Sequence, residues 1–178
     1  HNKSTINAMY ALAMVLLALP SFYGLVRWLG LLSASRVILA LSLLAYLIET
    51  IAIKTGFPYG TFVYGSLLGS KLFGVTPWTV PFGWIPLLIG VWSLVYSLAA
   101  PIKRLSLGVA LLLLADMVID PFAVRAGFWR YLPAGIFFGV PLSNFAGWIL
   151  SGTLGLTIIL LSARPTRSPT SQEHYWMR

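Results

Sequence analysis

The sequence predicts an all-α fold, a polytopic transmembrane helix bundle of five spans joined by interfacial or re-entrant segments. Three observations predict it. Of 178 residues, 58% are hydrophobic and only 9% charged, against roughly a quarter charged in water-soluble proteins. Five stretches approach the about 20 mostly apolar residues that a bilayer-crossing helix needs, at 6–26, 37–53, 78–100, 105–124 and 145–163. The longer connections are rich in glycine, proline and aromatic residues.

The first stretch lacks the short apolar core and small-residue cleavage site of a signal peptide and reads as a helix kinked near Pro20. The second, 37–53, carries Glu49. Residues 56–76 then bring a glycine every four or five positions and a lysine at 71, which is too broken to span alone and reads as interfacial or re-entrant. The third span follows, and the fourth, 105–124, carries Asp116 and Asp120. Residues 125–144, with Trp129, Tyr131, Pro133 and Pro141, repeat the character of 56–76 before the fifth span. Residues 1–163 are thus expected to form a single transmembrane domain, and the polar residues 164–178 a disordered tail.

The net charge of +8 comes from 12 Lys+Arg against 4 Asp+Glu. The bases are scattered singly or in pairs, whereas a phosphate-binding surface clusters them, so nucleic acid is not an expected partner. Five spans put Arg27, Arg36, Lys103 and Arg104 on the side of the tail arginines 164, 167 and 178, seven bases against the five at Lys3, Lys54, Lys71, Arg125 and Arg130. The positive-inside rule then places the C-terminus in the cytoplasm of a plasma-membrane protein. The absence of cysteine removes disulfides, thiolate nucleophiles and cysteine-ligated metals. The two histidines, His1 and His174, stand at the chain ends, which leaves carboxylates as the proton carriers of the core. No metal and no cofactor are expected.

Three of the four acids, Glu49, Asp116 and Asp120, fall within or at the ends of apolar spans, and none of the bases does. A charged carboxylate at the bilayer centre costs roughly 2.5–3.5 kcal/mol on insertion scales, so such groups face the bundle interior and mark functional paths. An interhelical hydrogen bond that fastens the bundle is the plainer reading of any one of them. Asp116 and Asp120 are four apart, one turn along the same helix face. Two like charges so close in a low dielectric do not both ionise easily, and one can be held as a neutral acid able to give up a proton. With five spans the second and fourth helices run the same way, which puts Glu49 at the depth of the aspartates, in reach of one cavity. Asp-x-x-x-Asp also holds Mg²⁺ and diphosphate in intramembrane prenyl and alcohol transferases. Those need a second aspartate-rich motif, which this chain lacks.

Around the acids run Glu49 with Thr55-Gly56-Phe57-Pro58-Tyr59-Gly60, Pro81-Phe82-Gly83-Trp84, Asp116-x-x-x-Asp120-Pro121, Gly127-x-Trp129, and Gly139-Val140-Pro141-x-x-Asn144-Phe145-x-Gly147-Trp148. Each alone fits an interfacial aromatic belt or a turn. In this order they resemble the carotenoid biosynthesis membrane protein family, the family of the carotenoid 1,2-hydratases of bisanhydrobacterioruberin hydratase type. The resemblance runs from Glu49 to Trp148. It departs at Ala115, where a tryptophan is expected, and at Phe128 and Arg130. Members are usually longer, which leaves room for a further helix ahead of residue 1.

The resemblance implies addition of water across the terminal C1=C2 double bond of a linear, ψ-ended carotenoid or other polyprenoid, drawn from membrane lipid, without a redox cofactor. The residues suit that chemistry: Asp116 or Asp120 as the acid, Glu49 or the other aspartate as the base for water, and Tyr59, Trp84, Trp129 and Trp148 as substrate-binding faces for a tertiary cation. Asn144 is expected to hold the water or one of the acids. A lycopene-type cyclase using the same protonation, a proton-coupled transporter and a structural subunit remain as alternatives. Internal repeats, the usual mark of a transporter, are absent from the sequence.

Overall fold

The computed structural model describes residues 3–163; the polar tail, His1 and His174 lie outside them. Five helices follow in order: α1 (Lys3–Leu29), α2 (Leu31–Thr55), α3 (Val80–Val95), α4 (Pro101–Ala126) and α5 (Leu142–Ser162). Four of them, all but α3, are long and apolar enough to cross a membrane. Their outer faces carry large apolar side chains in the open, Leu17 at 78%, Val118 at 72% and Leu161 at 80% exposure. Such a surface belongs in lipid, and the chain is that of an integral membrane protein. α1 runs unbroken through Pro20.

The third span differs from the expected 78–100. α3 has 16 residues, about 24 Å at roughly 1.5 Å per residue, short of a hydrocarbon core about 30 Å thick. At its start, Thr76 and Pro77 are committed to a two-residue ladder and the Trp78 amide bonds the Ser70 carbonyl. At its end the Leu98 amide folds back onto the Val95 carbonyl. Pro101 then forces Ala100 into an extended conformation.

The helices pack α4 on α5, α1 on α2 and α3, and α2 on α3 and α5, around Leu41, Ile85, Leu88, Leu112 and Leu156. Small residues bring them close. A Cβ on Gly155 would stand 2.7 Å from a Leu88 methyl, and one on Gly108 would stand 2.7 Å from Leu156.

Short strands in the connections are the feature that the helical reading lacked. β1 (Phe62–Tyr64) pairs antiparallel with β4 (Trp129–Tyr131) in the register Phe62↔Tyr131, Val63↔Arg130, Tyr64↔Trp129. β2 (Lys71–Leu72) pairs with β3 (Thr76–Pro77). The two glycine-rich connections therefore fold against each other, at the end of the bundle where α2 and α4 finish and α5 begins. Both helices stop on a left-handed glycine, Gly56 at φ 81° and Gly127 at φ 79°, a conformation open to glycine at no steric cost. That turn releases the chain into β1 and β4.

Candidate active site

The C-terminal halves of α2 and α4 bring the acids to one place. Asp116 and Asp120 are 1% and 3% exposed on the inner face of α4. Asn144, in the first turn of α5, reaches both: its Nδ2 donates to Asp116 Oδ2 at 2.9 Å and to Asp120 Oδ2 at 2.7 Å. The Tyr131 hydroxyl stands 2.8 Å from Asp120 Oδ2 and 2.9 Å from Asn144 Oδ1. Across the site, the Tyr64 hydroxyl donates to Glu49 Oε2 at 2.8 Å. Among the described residues, Asp116 Oδ1 is buried without a hydrogen-bond partner.

The strand pairing explains how two tyrosines reach the acids. Alternate residues of a strand point to one face, so Phe62, Tyr64, Trp129 and Tyr131 share a face while Val63 and Arg130 point away. Their rings interlock, Phe62 against Tyr64 at 5.3 Å, Tyr64 against Trp129 at 6.0 Å and Phe62 against Tyr131 at 5.7 Å between centroids. Gly65 continues β1 with its amide 2.8 Å from the Phe128 carbonyl, and a Cβ there would overlap the Gly127 carbonyl. Burial first, then the carboxyl neighbours, push the phenols of Tyr64 and Tyr131 well above their ordinary range. Both therefore stay protonated donors.

Two cavities meet at this cluster. A small chamber of about 50 Å³ is lined by Glu49, Tyr59, Tyr64, Asp120, Tyr131 and Asn144, with Trp129 and Trp148 at its edge. It has room for about one water, whose share of liquid volume is roughly 30 Å³. A larger, mostly apolar cavity of about 390 Å³ lies between α1 and α4, bounded by Met14, Leu17, Trp84, Phe122, Trp129 and Trp148. Glu49, Tyr64 and Asp120 line both. Leu17 and Phe122 are also exposed on the outer surface, Phe122 at 67%, so the apolar cavity opens toward lipid.

All the residues singled out in the sequence converge here, though not on one surface. Glu49, Asp120, Trp84, Trp129 and Trp148 line the apolar cavity, while Tyr59 and Asn144 line only the chamber. Asp116 lines neither, and joins the site through Asn144. Tyr59 is held because α5 carries Gly147 beside it, where a Cβ would overlap the Tyr59 ring, and because Ser143 Oγ donates to its carbonyl at 3.2 Å. Sequence reading missed the roles of Tyr64 and Tyr131; the signal was their alternation with Phe62 and Trp129 in the two connections. Among the described residues, no three acidic, histidine or cysteine side chains gather as metal ligands.

The chain matches the model of a family described as "Carotenoid biosynthesis protein" over residues 6–177. It is 40% identical over 131 residues to a Haloarcula japonica protein named bisanhydrobacterioruberin hydratase, an alignment covering 70% of this chain and 44% of that relative. The chain thus spans less than half the length of that relative. No solved structure matches it.

Proposed function

We propose, for a chain that belongs to the carotenoid biosynthesis protein family, that it is a carotenoid hydratase adding water across the terminal C1=C2 double bond of a linear carotenoid. The observation that carries this reading is the position of Asp120. Its carboxyl lines both the lipid-side apolar cavity and the polar chamber, so an acid meets an alkene on one side and water on the other. The name of the Haloarcula japonica relative supports the same activity. At about 390 Å³, the cavity is at the low end of small-molecule pockets, roughly 300–1,000 Å³. It suits one end group, with the polyene trailing into lipid.

Asp120 is the proton donor. It is buried beside Asp116, where two carboxyls do not both ionise easily, and of the two it is the one that borders the apolar cavity; the Tyr131 hydroxyl donates to its Oδ2 at 2.8 Å. Asp116 is its buried partner, tied through Asn144. Transfer of that proton to the alkene leaves a tertiary cation facing Trp84, Trp129 and Trp148, whose π faces stabilise it. Water attacks the cation, Glu49 takes the proton released, and the chamber shared by Glu49 and Asp120 returns it. The reaction is redox-neutral and asks for no cofactor. The seven-to-five distribution of bases supports a plasma-membrane protein with a cytoplasmic C-terminus.

Expression in a membrane supplied with a lycopene-type substrate tests the reading. The expected product is heavier by one water; a ring-bearing product of unchanged mass makes the chain a cyclase, and unaltered substrate contradicts both.

A further inference from the structure

A third cavity adjoins the site and has no part in the scheme above. It measures about 1030 Å³ and lies between the start of α1 and the segment from Tyr64 to Trp78. Its lining is mixed and more polar than that of the lipid-side cavity: α1 contributes Ala8, Leu12 and Val15 beside Asn7, and the facing segment contributes Ser66, Ser70 and Lys71, all three exposed. Tyr64 lines this vestibule, the apolar cavity and the chamber alike. Its position is fixed from three directions. The hydroxyl donates to Glu49 at 2.8 Å, the carbonyl accepts from Lys71 Nζ at 3.0 Å, and the ring is packed edge-on against Phe62 and Trp129.

We propose that the vestibule is the route by which water reaches the reaction, and that Tyr64 is the positioning residue that passes it to Glu49. The inference rests on the hydration reading and deepens it. Hydration within a lipid-facing pocket needs a polar path for water kept apart from the path for the polyene. The vestibule and the apolar cavity both border Tyr64. The alkene π pair forms a C–H bond with the Asp120 proton, a water lone pair forms the C–O bond, and the second O–H bond of that water breaks toward Glu49. Where water does not arrive and no ring closes, the cation loses a proton back to a carboxylate and reverts to an alkene.

That second exit makes the route measurable. Full-length protein in proteoliposomes is given a ψ-ended carotenoid in deuterium oxide, and two products are counted: the alcohol, and recovered alkene carrying deuterium. Wild type is expected to give mainly alcohol. Tyr64→Phe, which keeps the ring and removes the hydroxyl, and the pair Ser66→Leu with Ser70→Leu, which narrows the vestibule without touching the other cavities, are expected to lower the ratio of alcohol to deuterated alkene by about tenfold or more. The serine pair keeps the test decisive if Tyr64→Phe does not fold. An unchanged ratio, or loss of both products together in the serine pair, overturns the water route. Absence of alcohol from wild type counts against hydration itself.

Discussion

Asn144 Nδ2 lies 2.7 Å from Asp120 Oδ2, and the same amide nitrogen bonds Asp116 Oδ2 at 2.9 Å. One side chain at the start of α5 thus ties together two carboxyls a turn apart on α4. The two carboxyls share this one donor but differ in what they face. Asp120 borders the substrate cavity and Asp116 does not.

The two aspartates are therefore unequal. Asp120→Asn keeps an acceptor for Asn144 but has no acidic proton, and is expected to lower product formation by about 10²–10⁴-fold, the usual worth of a positioned general acid. Asp116→Asn is expected to cost much less. Rates in membranes with matched protein levels decide it, and equal losses, or the reverse order, would contradict the assignment.

Tyr131→Phe removes one hydroxyl from between Asp120 and Asn144. It leaves Asn144 Oδ1 buried without its partner, a loss of about 1–3 kcal/mol. A lower thermal unfolding midpoint in detergent, together with slower turnover, is the expected outcome. An unmoved midpoint would show that the hydroxyl is not part of a closed network.

Gly147→Ala places a methyl group on the Tyr59 ring. Overpacking of this kind costs about 1–3 kcal/mol. Adding Tyr59→Leu should restore part of the loss, because the two residues share one contact and their effects do not add. Strictly additive losses in the same unfolding assay would place the strain elsewhere.

Glu49→Gln keeps an oxygen to accept from Tyr64 but cannot take a proton from water. The variant is expected to insert normally and to form alcohol at least about tenfold more slowly, within the range of acid–base catalysis. Full activity would remove Glu49 from the reaction.

Much of this arrangement was legible in the sequence because it is local or follows from helix direction. Asp116 and Asp120 share a face by spacing alone. Glu49 meets them because α2 and α4 run the same way, and both are long apolar helices with clear limits. The shortened α3 was harder to see. Residues 78 and 96–100 carry no charge that would mark an end, and what ends the helix is the ladder before it and Pro101 after it. The β1–β4 pair was not legible either. Three-residue strands more than 60 positions apart offer a single alternation each, and their pairing is decided by where the helices deliver their ends. The tyrosines at the site depend on that pairing, which is why Tyr64 and Tyr131 read only as interfacial aromatics.

In the proposed reaction a carboxyl of this cluster protonates a terminal alkene and water captures the cation. Purified protein supplied with a ψ-ended linear carotenoid in heavy-oxygen water tests it most directly. The expected product is a tertiary alcohol carrying one heavy oxygen per reacted end, formed by wild type and lost in Asp120→Asn. Alcohol formed equally by that variant, or a product without the heavy oxygen, would contradict it.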